Sequence, residues 1–230
     1  RFGGKNNYKM TQEVLIPKMK RIDKRQRKIR IPLLNFVVII FCTMLLVGAT
    51  FVNINIKHYY LPLEFFSDKT LTPDDYIKSF CIIPQIPIVM FICSFLGRRM
   101  ALTSIILYIL GGLFFAPVFA LGGGIHYVTE YSFGYILGFV PAVMIAGGAL
   151  RKVYSFKNMF LAAFSGVLTI HLCGILYMIL IALIKRDGSS FIEGWISAQS
   201  GLKIVYDFVG SFVLILMGKY FHSVTKFIME

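Results

Sequence analysis

Acidic side chains are scarce in this chain of 230 residues: 11 Asp and Glu stand against 24 Lys and Arg. Tryptophan occurs once and cysteine four times. Cys42, Cys81, Cys93 and Cys173 each lie in apolar sequence and none forms C-x-x-C, so they read as small core or lipid-facing residues rather than a disulfide framework or metal site. Catalytic patterns are missing as well. There is no G-x-x-x-x-G-K-[ST] phosphate loop and no H-E-x-x-H. The nearest approach to a serine elbow, Glu130-Tyr131-Ser132-Phe133-Gly134, has glutamate in place of the first glycine. His126 and His171 give only a weak case for a metal. Enzymatic activity, a bound metal and a cofactor are therefore not expected.

What the chain has in abundance is apolar sequence: 57% of its residues, with a mean hydropathy of +0.73. Soluble domains hold about 45–50%. A span needs about 20 apolar residues, and six candidates follow: Pro32 to Val52, Tyr76 to Leu96, Met100 to Leu121, Phe133 to Leu150, Met159 to Ile184 and Leu202 to Phe221. The fold class expected is an all-α membrane protein of six transmembrane helices. Residues 1–31 form a basic segment, 32–222 the membrane domain and 223–230 a short tail. Eleven of the 24 basic residues lie in Arg1 to Arg30, directly before the first span. Such a block reads as a cytoplasmic anchor near anionic lipid, so nucleic acid is not the expected partner. The basic region is too long for a cleavable signal and no A-x-A site follows it. With both termini inside, 18 of the 24 basic residues fall on the inner side, which sets the orientation as N-in and C-in.

That orientation puts one unusual stretch on the outer face, Ala120 to Phe139. Gly122, Gly123 and Gly124 run together, followed by His126, Tyr127, Thr129, Glu130, Tyr131 and Ser132. A polar, glycine-rich break between greasy segments cannot face hydrocarbon, where its backbone groups would go unpaired. It reads as the rim or lid of a small-molecule pocket. Gly134 and Gly138, spaced G-x-x-x-G, read instead as helix-packing positions, and Gly147-Gly148 and Ser165-Gly166 as more of the same. Pro84-Gln85-Ile86-Pro87 is expected to interrupt the second span, with the Gln85 amide free to face the cavity. Trp195 suits an interfacial anchor in an outer loop.

Two of the few polar residues inside the spans stand out. Asp207 sits about 9 Å along a helix starting at Gly201. It is either a solvated first-turn acid or an acceptor for ligand N–H groups in a partly dry site. His171 is either a helix–helix hydrogen bonder or a ligand contact.

Four stretches taken in order resemble the BioY family, the biotin-specific substrate-binding (S) components of energy-coupling factor (ECF) transporters. Ile86-Pro87 to Leu96-Gly97-Arg98-Arg99 resembles that family's apolar helix and basic turn. Leu107-Tyr108-Ile109-Leu110-Gly111 through Pro117-Val118-Phe119-Ala120 is similar to its L-Y-L-x-x-G…P-x-F-A pattern. Gly122-Gly123-Gly124 follows, and Phe133-Gly134-Tyr135-Ile136-Leu137-Gly138-Phe139 is similar to G-G-Y-x-x-G-F. Asp207 falls where the family has a substrate-binding acid, while Gly210 stands where a basic residue is often found. The resemblance implies biotin captured on the outer side of a multi-pass protein of the bacterial plasma membrane. Its rings would sit among aromatics such as Tyr127, Tyr131 and Tyr135. Its ureido group would pair with Asp207 and other polar groups, among them Gln85, Glu130 and His171. It also implies a separate transmembrane coupling subunit and a pair of ATPases. An S component for another vitamin, and a membrane-embedded enzyme built on His171 and Glu130, are the competing readings.

Overall fold

The computed structural model describes residues 33–59, 77–151 and 155–229. The basic segment 1–31, the loop acids Glu64, Asp68, Asp74 and Asp75, and Lys152 lie outside the described residues. The order is α1 (Leu33–Thr50), β1 (Ile54–Tyr59), β2 (Ile77–Ile82), α2 (Gln85–Phe114), a 3-10 turn (Ile125–Thr129), α3 (Phe133–Leu150), α4 (Phe156–Lys185), α5 (Ser189–Ser200) and α6 (Lys203–Met229). Five stretches among the described residues are long and apolar enough to cross a membrane: α1, α2, α3, α4 and the α5–α6 run from Ser189 to Val224. Rows of large apolar side chains face outward on these helices, such as Phe36, Phe41 and Met44 on α1 and Leu176, Leu180 and Leu183 on α4. They form the surface a bilayer would cover.

α2 carries two of the six expected spans. It is broken at Gly97, whose φ of 74° and ψ of 166° are non-helical. A straight helix would separate residues 85 and 108 by about 34 Å. The Gln85 amide nevertheless donates to the Tyr108 hydroxyl at 2.8 Å, so the two halves run back along one another. Only glycine adopts that backbone conformation readily, at a cost to other residues of about 1–3 kcal/mol. Nothing crowds a Cβ there, so Gly97→Ala should lower thermal stability by about that amount through backbone strain alone, as a shift in unfolding temperature would show.

Four expectations need correction. The Tyr76 to Leu96 span is helical only from Gln85, because Ile77–Ile82 pairs antiparallel with Ile54–Tyr59; a two-stranded hairpin thus accompanies the helices. Pro84 and the β-rich run before it explain this: the residue preceding a proline is driven to extended backbone. Pro84 and Pro87 therefore begin α2 rather than interrupt it, Pro87 lying in the first turn where a missing N–H is tolerated. The connection Lys185 to Gly201 holds a helix, α5, with Phe191, Ile192, Trp195 and Ile196 at helical spacing. The helix expected to end at Phe221 continues to Met229.

The core lies where α2, α3, α4 and α6 meet, around Val89, Met90, Tyr108, Phe139, Val143 and Ile170. Glycines set the helix spacing. A Cβ on Gly138 would stand 3.0 Å from Ile170 Cα on α4, and one on Gly166 would meet the Met90 side chain. Gly148, by contrast, has open space. A Cβ on Gly147 would lie 2.8 Å from Arg98 Cβ. The basic turn after the first half of α2 and the C-terminal end of α3 therefore share one end of the bundle. Gln85 and Tyr135, at the opposite ends of those helices, share the other.

Candidate functional site

At the end remote from Arg98 lies a cavity of about 580 Å³, counting its open mouth. Its apolar walls are Ile83, Ile86, Ala120, Ile136 and Phe139; its polar groups are Gln85, Tyr127, Ser132, Tyr135, His171, Gln199 and Lys203. That mix of apolar walls and a few polar groups suits a small organic ligand.

Each helix contributes for a local reason. Gln85, one residue into α2, donates its amide to Thr50 Oγ1 at 2.7 Å and to Tyr108 at 2.8 Å. Its carbonyl remains as an acceptor. Tyr127 is carried inward by the 3-10 turn and is 1% exposed. Its ring packs on Phe119 and Phe133, and its hydroxyl shares a hydrogen bond with Ser132 at 3.2 Å. Burial raises the Tyr127 phenol above its ordinary pKa and keeps it neutral. Tyr135, in the first turn of α3, lies at 2.6 Å from Ser200 Oγ at the end of α5. Its ring stands edge-on to His171.

His171 and Asp207 form the buried heart of the site. His171 Nδ1 is 2.9 Å from Ser200 Oγ, and Nε2 is 3.3 Å from Asp207 Oδ2. His171 reaches the cavity wall, but Asp207 does not. The acid is fully buried behind the imidazole, and its Oδ1 has no hydrogen-bond partner. Ser211 Oγ, one turn further along α6, is also buried without a partner. Asp207 is thus not a solvated first-turn acid. It meets the site through His171, whose two readings merge: the ring bonds between helices and lines the cavity.

The glycine stretch has a different place from the one expected. Gly122 pairs with Phe119 through both backbone groups. Gly123 lies against Pro117 and the Gly112 carbonyl, where a Cβ would be within 2.8 Å of that oxygen. Gly124 donates to the same carbonyl at 2.8 Å. These glycines clamp the loop to the end of α2 and do not line the cavity; Ala120 and Tyr127, on either side of them, do. Glu130 and Tyr131 also lie outside the lining. Tyr131 belongs to a second cluster: its hydroxyl donates to Asp187 at 2.7 Å, Lys185 Nζ lies 4.2 Å from its ring, and Phe191 and Trp195 pack on it. Accepting that hydrogen bond, the Asp187 carboxylate pushes the Tyr131 phenol above its ordinary pKa. Trp195 also touches Tyr135, so this cluster holds α5 over the cavity. Trp195 is a packing residue between α5 and α3, not a loop anchor.

Sequence reasoning did not single out Lys203, Gln199 or Ser200. Lys203 carried a usable signal: it precedes Asp207 by four residues and so shares its helix face. Gly210, which stands where a basic residue was expected, is where α6 crosses α2; a Cβ there would be 3.0 Å from Pro87 Cγ.

Comparison with known proteins gives a consistent family. A model of the BioY family matches residues 23–227. A probable biotin transporter BioY from Lysinibacillus sphaericus is 35% identical over 96 residues, covering 41% of this chain and 49% of the relative. An uncharacterized 21.2 kDa protein from Cyanophora paradoxa is 31% identical over 121 residues, covering 52% of this chain and 63% of the relative. The chain thus matches about half to five-eighths of the length of these curated relatives. A 2.1 Å crystal structure of the S-component for biotin from an ECF-type ABC transporter shares the fold, with a TM-score of 0.59 at 18% identity, over 82% of this chain and 90% of that one.

Proposed function

The chain belongs to the BioY family, and from that premise we propose that it is the biotin-capturing subunit of an ECF-type transporter in the bacterial plasma membrane. The observation that carries this reading is the cavity's chemistry. It has apolar walls, uncharged hydrogen-bonding groups at Gln85, Tyr127, Ser132 and Tyr135, and one ammonium group, Lys203. Biotin has the matching parts: an apolar ring and chain, a ureido group with two donors and one acceptor, and a single carboxylate. Lys203 takes the carboxylate in a charge-assisted hydrogen bond. In this reading Lys203 does the work that a basic residue beyond Asp207 cannot do here, since Gly210 lies against Pro87. With the arginine end of the bundle in the cytoplasm, the cavity opens outward. Release inward falls to a coupling subunit and ATPases. The positions proposed for the ligand are Gln85, Tyr127, Ser132, Tyr135, His171, Gln199 and Lys203, with Asp207 behind them.

Labelled biotin binding to the purified protein tests the reading. Saturable binding below micromolar ligand is expected. No binding at micromolar biotin by folded, monodisperse protein rejects it. Lys203→Gln should weaken biotin by about 1.5–3 kcal/mol, the worth of a hydrogen bond to a charged group. It should leave the uncharged biotin amide within about twofold of its wild-type affinity.

A further inference from the structure

Four polar side chains from four elements are joined end to end. Tyr135 on α3 meets Ser200 on α5 at 2.6 Å, Ser200 meets His171 Nδ1 on α4 at 2.9 Å, and His171 Nε2 meets Asp207 on α6 at 3.3 Å. Ser200 is 8% exposed, His171 1% and Asp207 0%, so these three links are buried. Only Tyr135 and His171 reach the cavity.

The donors and acceptors along this chain can be assigned from its buried end. An ionised carboxylate only accepts, so His171 Nε2 carries a proton. With one proton on the ring, Nδ1 is bare and only accepts, so Ser200 must donate to it. The Ser200 oxygen then takes the Tyr135 hydrogen. The Tyr135 oxygen is left with lone pairs and nothing to donate. We propose that Tyr135 selects ligands that present a hydrogen-bond donor, and that Ser200, His171 and Asp207 are positioning residues that hold it as an acceptor. This rests on reading the cavity as the ligand site. A ureido N–H fits an acceptor there; an analogue with an acceptor atom at the same point does not.

Two measurements on the purified full chain test this. The first needs no ligand: nitrogen NMR of histidine-labelled protein, with His171 assigned by its loss in His171→Gln. The Nε2–H tautomer is expected. The Nδ1–H tautomer would overturn the proposal. The second is biotin affinity at neutral pH. Ser200→Ala and Tyr135→Phe should each bind about fivefold more weakly, the worth of one hydrogen bond, and the double variant no more weakly than either single one. Multiplicative losses in the double variant would show that the two residues act independently and would overturn the proposal. Failure to bind biotin, with the Nε2–H tautomer present, rejects the biotin reading and leaves the hydrogen-bond order standing.

Discussion

Asp207→Ala is expected to weaken biotin binding by about 1–3 kcal/mol, roughly five- to a hundredfold, although Asp207 does not line the cavity. The expectation follows from what the carboxylate holds. It is fully buried and its one partner is His171 Nε2 at 3.3 Å. Removing the acid leaves the imidazole N–H buried and unpaired, which costs about 1–3 kcal/mol. His171 can recover part of that by turning, but the cavity wall and the bond to Ser200 turn with it. The loss therefore appears in binding. Asp207→Asn separates shape from charge. The asparagine side-chain oxygen can still accept from Nε2, so a loss nearer about 1 kcal/mol is expected, the value of one neutral hydrogen bond. Isothermal titration of both variants decides the matter. Equal, near-wild-type affinities would show that the acid serves only the packing of α6 on α4.

How far the sequence carried the structure depended on which physical signal each part used. Long apolar runs were readable because lipid-exposed helices need them. Phe133 to Leu150 is α3 as expected, and α1, α4 and the start of α6 fall within a few residues of their expected bounds. The same signal failed at Ile77–Ile82. Hydropathy cannot distinguish an apolar strand from the first turns of a span, and the paired strand lay in polar sequence around Asn55 and Lys57. It failed again at α5, which at 12 residues is too short for a span and lies between polar termini. Glycines were readable where they recur at helical spacing, as at Gly134 and Gly138, because one face of a helix must then be bare. Three in a row say only that backbone must bend or approach closely. Whether Gly122, Gly123 and Gly124 border a ligand or clamp a loop to the Gly112 carbonyl depends on where α2 ends. The acid and the histidine were found because polar residues in spans are rare. That Asp207 stands behind His171, with Lys203 facing the cavity on the same helix, is set by the packing of α6 against α4 and α2, which one chain's pattern does not contain.

The largest stability effect is expected between α3 and α4. Gly134→Val should prevent the protein from accumulating as a folded, monodisperse species, and Gly138→Val should cost about 3 kcal/mol or more. At Gly134 an added Cβ would overlap the Tyr177 Cβ and stand 3.1 Å from the Cys173 carbonyl oxygen. At Gly138 the nearest atoms are Ile170 Cα at 3.0 Å and Cys173 Cβ at 3.1 Å. Most of these are backbone or Cβ atoms, which no rotamer change can clear, so the helices must separate. Overpacking a tight interface costs about 1–3 kcal/mol where side chains can shift, and more where they cannot. In a bilayer the loss is not offset by hydrophobic association, since lipid is as apolar as the helices; close contact is itself the driving force. Ligand binding should fail with the fold, because Tyr135 rides on α3 between the two glycines and His171 lies opposite on α4. Gly148→Ala provides the contrast. Its Cβ meets nothing within 4 Å, and alanine favours a helix over glycine by about 1 kcal/mol. Unfolding temperatures in one detergent should therefore rank Gly148→Ala at or above wild type and Gly138→Val well below. A Gly138→Val protein as stable as wild type would mean that α3 and α4 do not pack through this stripe.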